Sequence, residues 1–303
     1  MDLRLATIVV RLAAQFSAPT PLAETILARL ALSAAGLSLP DGPMTIGPVF
    51  PSDRLMLHRQ ESTWVVTGEL RRIPWARFTK HIVALAHHGA ETRTVLIQTP
   101  AIMKLGRNYA NEPRDDIQVS NLDLSEAAVG AADVGWSLDT IQELGALFRA
   151  AAMAGALEQI QDLTLRHATE RIQFGRPIGK FQAVQQQISV LATHVAAADA
   201  AVNGALTANK SAPASFEIAA AKMRTGEAAG IASEIAHQVH AAMGFTLEHS
   251  LQRSTRRLWS WRDEFGSESD WAIKIGKIAC ELGGEGLWQF LTAFRHEDTT
   301  EPH

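Results

Sequence analysis

Behind Ser137 the apolar residues Leu138, Ile141, Leu144, Phe148, Ala152 and Ala156 recur every three or four positions. That spacing predicts one long helix, N-capped by Ser137 and running to about Glu170. A second seam follows in Phe181, Val184, Ile188, Leu191 and Val195. Two long helices in succession, each with an apolar face, are the signature of an antiparallel bundle. Their connection, residues 171–185, holds two glycines, a proline and three basic residues. Gly175 permits backbone angles that other residues resist, and Pro177 fixes its own φ and keeps its predecessor extended. Exposed arginines beside free backbone N–H groups, ahead of a new helix, suit a phosphate. On composition alone an ordinary helix–helix loop is an equally good reading.

The rest of the chain has a different texture. Residues 1–38 read as short helices broken at Pro19 and Pro21, with Leu27, Leu30 and Leu32 of the run Glu24–Ala35 placed for burial. The cluster Leu39-Pro40-Asp41-Gly42-Pro43 is turn chemistry. From Met44 to about Leu122 the β-rich runs Thr63–Gly68, His81–Leu85 and Thr92–Ile97 predict strands of a barrel or sandwich, giving a central β domain over 39–130. The helical domain then spans 131–303. Its later helices are expected from about Phe216 to Met243, Leu247 to Trp261 and Ser267 to Phe294. A turn at Asn209–Ser215 and a polar tail, Arg295–His303, complete it.

Several function classes are set aside. A net charge of −4 gives no general reason to expect nucleic acid or an acidic membrane as partner. The single cysteine, Cys280, rules out a disulfide within the chain, and a cytoplasmic location is expected. The apolar start Met1–Val10 is interrupted by Arg11 and reads as an amphipathic helix rather than a signal peptide, and no run reaches the length of a membrane span. His237 and His240 share a helix face and His87 and His88 are adjacent, but no third ligand can be placed, so no metal site is expected. A Ser–His–Asp site would need a glycine-flanked nucleophile turn, and Leu282–Gly286 follows a helix rather than a strand, so it is not a phosphate loop.

A second stretch draws notice. Gln238-Val239-His240-Ala241-Ala242-Met243-Gly244-Phe245-Thr246 ends a helix with small residues, Gly244 being placed as its C-cap. Arg-x-x-Phe-Gly-x-Pro-Ile-x-x-Phe-Gln at 171–182, followed by Gln-x-His-x-x-x-Gly-Phe-Thr-x-Glu-His at 238–249, resembles the C-terminal helical domain of the acyl-CoA dehydrogenases. Ala23-Glu24-Thr25, Trp64–Gly68 and Glu112-Pro113-Arg114-Asp115 match the family's order, and Trp261–Gly266 looks like the branch that acts on steroid-type and other bulky acyl-CoA substrates.

The resemblance implies an α+β fold of that family, with a shortened N-terminal helical region, a central β domain and a C-terminal antiparallel bundle. It implies FAD as cofactor, an acyl-CoA as substrate and an electron-transferring flavoprotein as acceptor. In the family one FAD spans two subunits. Its adenine and pyrophosphate side is matched here by Arg171, Gln173, Phe174, Ile178, Phe181 and Gln182 and by Gln238, Ala241 and Ala242, the last two replacing a pair of glycines. The flavin-side loop has no counterpart before Trp64; Pro40–Pro48 stands in its place, and Leu70–Trp75 replaces another flavin-side strand. The two family positions for the catalytic glutamate fall on Gly145 and Phe265. Glu264, one residue off, is the remaining candidate base, a surface salt bridge to Arg262 or Arg256 being its structural alternative. The pattern implies a partner: a longer acyl-CoA dehydrogenase subunit, in an α2β2 assembly, supplying flavin ring site and base. A self-sufficient homo-oligomer using Glu264 and a non-catalytic scaffold are the alternatives.

Overall fold

A computed structural model describes residues 2–100, 102–134, 136–207, 215–246 and 248–293. The turn around Pro213 and the tail Arg295–His303 lie outside the described residues. The expected long helix is present as Leu138–Glu170 (α3, after α1, Leu3–Gln15, and α2, Leu22–Ala34). Ser137 Oγ accepts from the Thr140 backbone N–H at 3.2 Å, and the Ser137 N–H donates back to Thr140 Oγ1. This reciprocal box satisfies N–H groups that a helix start otherwise leaves open. From Gly145 to Leu157 every residue of α3 is buried. A helix apolar all round must be surrounded. It is, by α1, by α4 (Gln182–Thr207), by α5 (Ser215–His240) and by α6 (Leu251–Trp261). α7 (Glu268–Ala293) packs on α5 and is interrupted at Gly283, whose φ is 67°.

The α1–α3 crossing is a close backbone approach. A Cβ on Gly155 would lie 2.1 Å from the Arg11 carbonyl oxygen and 3.1 Å from the Gln15 nitrogen. The α1 backbone therefore rests on α3 itself. Arg11 fastens it by ion pairs to Glu158 on α3 and Asp199 on α4.

The β region is one mixed sheet of seven strands: β1 (Met44–Gly47), β2 (Arg54–Gln60), β3 (Thr63–Pro74), β4 (His81–His88), β5 (Glu91–Gln98), β6 (Ile102–Lys104) and β7 (Arg114–Leu124). Their order is β1-β4-β2-β3-β7-β6, with β5 paired to the same β4. β1 runs parallel to β4, while β2–β3, β3–β7 and β4–β5 are antiparallel. Alternation places Leu55, Leu57, Trp64 and Val66 in a separate apolar core beneath the sheet. β1 belongs to the other core: Met44 and Ile46 pack with the helices, so the sheet and the bundle meet along β1 and β4.

Three expectations need correction. The Thr63–Gly68 run continues to Pro74, taking in most of the Leu70–Trp75 segment. The α4 seam is buried at Leu191 and Val195 but only half-covered at Phe181, Val184 and Ile188, because the first turns of α4 reach beyond the helices beside them. α5 ends at His240 rather than near Met243; Ala241, with φ of 50°, takes the left-handed position expected of Gly244. Gly244 is instead needed for space, since a Cβ there would sit 2.9 Å from His240 Cβ.

Gly155→Ala should push α1 off α3. The expected cost is about 1–3 kcal/mol, the range for overpacking a close contact, read as a lower thermal midpoint with faster proteolysis within residues 3–15.

Candidate functional site

A cavity of about 1090 Å³ opens between the sheet and the bundle. Its walls are the loop after β1 (Val49, Phe50, Pro51), the Asn108–Tyr109 turn, Trp259 on α6, the connection Asp263–Gly266, and Trp271 and Lys274 on α7. Phe50, Tyr109, Trp259, Phe265 and Trp271 are among its lining residues, and Arg72, Asp263, Asp270 and Lys274 stand among them. Space of this size, apolar with a few charges, accepts a bulky organic ligand.

Phe265, on the cavity wall, lies against Gly145 of α3. A Cβ on Gly145 would fall 2.2 Å from the Phe265 ring. Phe265 itself is in the left-handed region, with φ of 57°. Such a conformation is unfavourable for a bulky side chain and persists only where the surroundings hold it. Its carbonyl accepts from Trp271 Nε1 at 2.9 Å. Glu143, two residues before Gly145 on α3, pairs with Lys274 at 2.7 Å.

Glu264 is not on the surface, and neither expected partner holds it. Arg262 pairs with Glu268 at 2.6 Å, and Arg256 donates to the Tyr109 carbonyl at 2.8 Å. The Glu264 carboxylate instead accepts from Arg114 at 2.6 and 2.8 Å, from Arg149 Nε at 2.7 Å and from Asn108 Nδ2 at 3.3 Å. Burial by itself would raise its pKa, but Arg114 and Arg149 overcome this and hold it down at about 2. A carboxylate so held is a weak proton acceptor near neutral pH.

The two arginines extend the network. Arg149 Nη2 donates to Glu24 on α2 at 2.5 Å. Arg114 Nη2 reaches Glu112 at 3.2 Å, and Glu112 also accepts from Arg257 at 3.1 Å, Trp261 Nε1 at 3.0 Å and Asn108 at 2.9 Å. Burial opposes ionisation of Glu112, yet Arg114 leads the charges that leave its pKa lowered. Three carboxylates and three guanidiniums thus join α2, β7, α3, α6 and the connection after it. Sequence inspection missed this assembly. The available signal was Arg149 itself, a charge inside the apolar run Leu144–Ala156.

The phosphate-suited connection lies at the far end of α3. Ile172–Gln173 (β8) and Arg176–Pro177 (β9) form a small hairpin whose turn residues, Phe174 and Gly175, have φ of 51° and 76°. Phe174 is 93% exposed. Arg176 lies over the Phe181 ring at 4.4 Å, and Phe174 meets the same ring edge-on. Arg171, Gln173 and Gln182 are exposed, and Ile178 and Phe181 are half-covered. On α5, Gln238 is exposed, as are Ala241 and Ala242 just after it. His167 near the end of α3 stacks on His240 near the end of α5 at 4.4 Å, so both stretches sit at one end of the bundle. Burial first, then neighbouring positive charge, lowers the His167 pKa; burial pushes His240 down to about 4.

These residues fit the polar half of a dinucleotide. Among the described residues the Arg171, Gln173, Gln182 and Gln238 side chains make no hydrogen bond or ion pair, so their donors are available. Ala241 already has the backbone shape that glycine would provide, and its methyl is the only added bulk. Gly145 and Arg171 lie on the order of 40 Å apart along α3, at 1.5 Å per residue, while the cavity extends towards the hairpin through Trp259, whose ring stacks on His237 at 5.8 Å. No group of three His, Cys, Asp or Glu side chains is arranged to hold a metal ion among the described residues. No helix among them is long and apolar enough to cross a membrane.

Residues 140–267 match the family described as "Acyl-CoA dehydrogenase, C-terminal domain". Acyl-CoA dehydrogenase IpdE2 of Mycolicibacterium smegmatis is 34% identical over 39% of this chain and 36% of its own length. Its namesake from Mycobacterium tuberculosis is 28% identical over 83% of this chain and 70% of its own length. In structure, the ChsE4–ChsE5 complex of Mycobacterium tuberculosis aligns with a TM-score of 0.81 at 18% identity, over 93% of this chain and 82% of the other. The Tcur3481–Tcur3483 steroid ACAD, solved as a variant, aligns with a TM-score of 0.78 at 18% identity, over 92% and 81%. At these identities the structural likenesses establish the fold.

Arg149→Met should destabilise the chain by roughly 3–5 kcal/mol, because it strands the buried Glu24 carboxylate and takes one of two guanidiniums from Glu264; denaturant unfolding reads this directly. The Glu264 contribution also has a defined pH window. Its folded value of about 2 lies below the ordinary 4.5, so the stabilisation is complete above 4.5 and disappears as pH falls towards 2. Glu264→Gln should therefore flatten the acid limb of the stability–pH curve in that window.

Proposed function

We propose that this chain, whose residues 140–267 form an acyl-CoA dehydrogenase C-terminal domain within the fold of those enzymes, is one subunit of a heteromeric FAD-dependent acyl-CoA dehydrogenase. The reaction is removal of two hydrogens from the α and β carbons of a bulky, steroid-type acyl-CoA, leaving an α,β double bond. In this reading the chain holds the adenine and pyrophosphate side of FAD, and a longer partner subunit, in an α2β2 assembly, supplies the flavin ring site and the base. The domain division is 1–38, 39–130 and 131–303, and the setting is cytoplasmic.

The observation that carries this reading is the separation of two half-sites. The exposed hairpin with Arg171 and Phe174 lies on the order of 40 Å along α3, by helix rise, from Gly145, where the family's base would stand, beyond the span of an extended dinucleotide. A cofactor held at the hairpin in this reading serves a base on another chain rather than one at position 145 or 265 of its own. Arg171 offers a fixed fork for the pyrophosphate, Gln173, Gln182 and Gln238 offer amides, and Phe174 and Phe181 offer ring faces. Meanwhile the cavity of this chain has Gly145 against Phe265 where a base would stand, and Glu264 is committed to two arginines.

An α proton next to a thioester is removed only by a desolvated, correctly placed carboxylate. FAD, when bound, supplies the acceptor for the β hydride, and an electron-transferring flavoprotein reoxidises it. The aromatic walls around Trp259 and Trp271 exclude water from a ring-bearing acyl group. The self-sufficient reading, with Glu264 as base, is disfavoured by its two charged partners. The scaffold reading is favoured by the methyls of Ala241 and Ala242, where a ligand would want bare backbone.

The test is co-expression with the longer subunit. Arg171→Ala should weaken FAD binding about 10- to 100-fold, the worth of one charge-assisted hydrogen bond or a little more, with dehydrogenation falling in step. Unchanged flavin content and activity would support the scaffold instead. The chain alone should be colourless; yellow, active protein would overturn the heteromer.

A further inference from the structure

Lys222 lies on α5 with no exposed surface and is distinct from the residues proposed to hold the cofactor or to act as base. Its Nζ donates to the Arg262 carbonyl at 2.6 Å and to the Gly266 carbonyl at 2.7 Å. Those two carbonyls are the ends of the connection that carries Asp263, Glu264 and Phe265, all three facing the cavity. Among the described residues it forms no ion pair. Asp263 and Glu264 on the connection and Glu268 and Asp270 on α7 lie near enough to favour its charge, while Arg149 on α3 opposes it. A buried ammonium spanning two carbonyls, rather than paired to a carboxylate, serves the backbone it holds.

That backbone needs holding. Phe265 and Gly266 have φ of 57° and 94° in succession. The Trp271 indole secures the Phe265 carbonyl, and the two arginines secure the Glu264 side chain. Among the described residues, Lys222 is the one side chain whose donors span both ends of the connection.

We propose that Lys222 is a positioning residue of the cavity: its ammonium brackets both ends of the Arg262–Gly266 connection, holds the Phe265 ring against Gly145, and so sets how deeply a bulky ligand can enter. The consequence for ligand depth rests on the cavity being the acyl pocket proposed above; the bracketing itself does not.

Charge assistance roughly doubles the strength of such hydrogen bonds, so loss of the proton loosens the bracket. Burial lowers the Lys222 pKa to about 8, which separates its titration from that of ordinary lysines at 10.5. The experiment uses the full chain labelled with 13Cε-lysine and 4-fluorophenylalanine. Lys222→Met assigns the lysine signal and Phe265→Leu the fluorine signal. The Lys222 carbon should titrate near pH 8, and the Phe265 fluorine should move with the same midpoint while the other phenylalanines stay in place. In Lys222→Met the Phe265 signal should leave its wild-type position at every pH. A Phe265 signal that ignores the Lys222 transition, at whatever pH that falls, overturns the proposal. If Lys222→Met does not fold, exchanging the other six lysines singly for arginine assigns the Lys222 carbon by elimination, and the wild-type titration then decides the matter. Neither signal needs bound FAD, so failure here leaves the flavin reading standing, and failure of that reading leaves this test intact.

Discussion

Everything around the cavity depends on the buried charge network of Glu24, Glu112, Glu264, Arg114, Arg149 and Arg257. Six charges removed from water are tolerable only because each meets opposite charge at hydrogen-bonding distance. The geometric tolerance of such an assembly is small, since a displaced member leaves its partner buried and unpaired. The members come from α2, from the turn before β7, from β7, α3 and α6, and from the connection before α7. The network therefore fixes the sheet against the bundle more tightly than apolar contact, which tolerates sliding, could do.

Much of the architecture was legible from spacing alone. The three- and four-residue repeat behind Ser137 gives α3 with its cap, and alternation gives the strands, because both depend on local periodicity. What escaped is what depends on distant partners. Glu264 looks like an exposed acid beside Arg262 until folding brings Arg114 and Arg149 to it from opposite sides. The half-covered start of α4 escaped because a repeat shows which face is apolar, not whether anything lies against it. The end of α5 was misplaced because Gly244 is the obvious left-handed residue, yet packing against His240 and Leu251 claims it and Ala241 takes the turn. Of the candidate site, the hairpin residues were readable as motif. Lys222 and Arg149 were not, although each is a charge set among small or apolar neighbours.

The helix α3 acts as a ruler between two unlike regions. Around its first half it is enclosed, and its Arg149 anchors the cavity floor. Its far end carries unpartnered polar side chains and a nearly naked phenylalanine. A self-contained binding protein would bring its donors and its cavity together. Here the hairpin donors stand at the opposite end of α3 from Gly145, as the proposed sharing of one cofactor between two chains requires.

The contact of Gly145 with Phe265 also has an evolutionary side. A larger residue at 145 collides with the ring, and trimming the ring alone leaves an empty base without new chemistry. Each first step is a loss, and only the pair could restore a side chain reaching past this point. Such mutual dependence ties the two positions together: neither can be exchanged alone without a clash or a void.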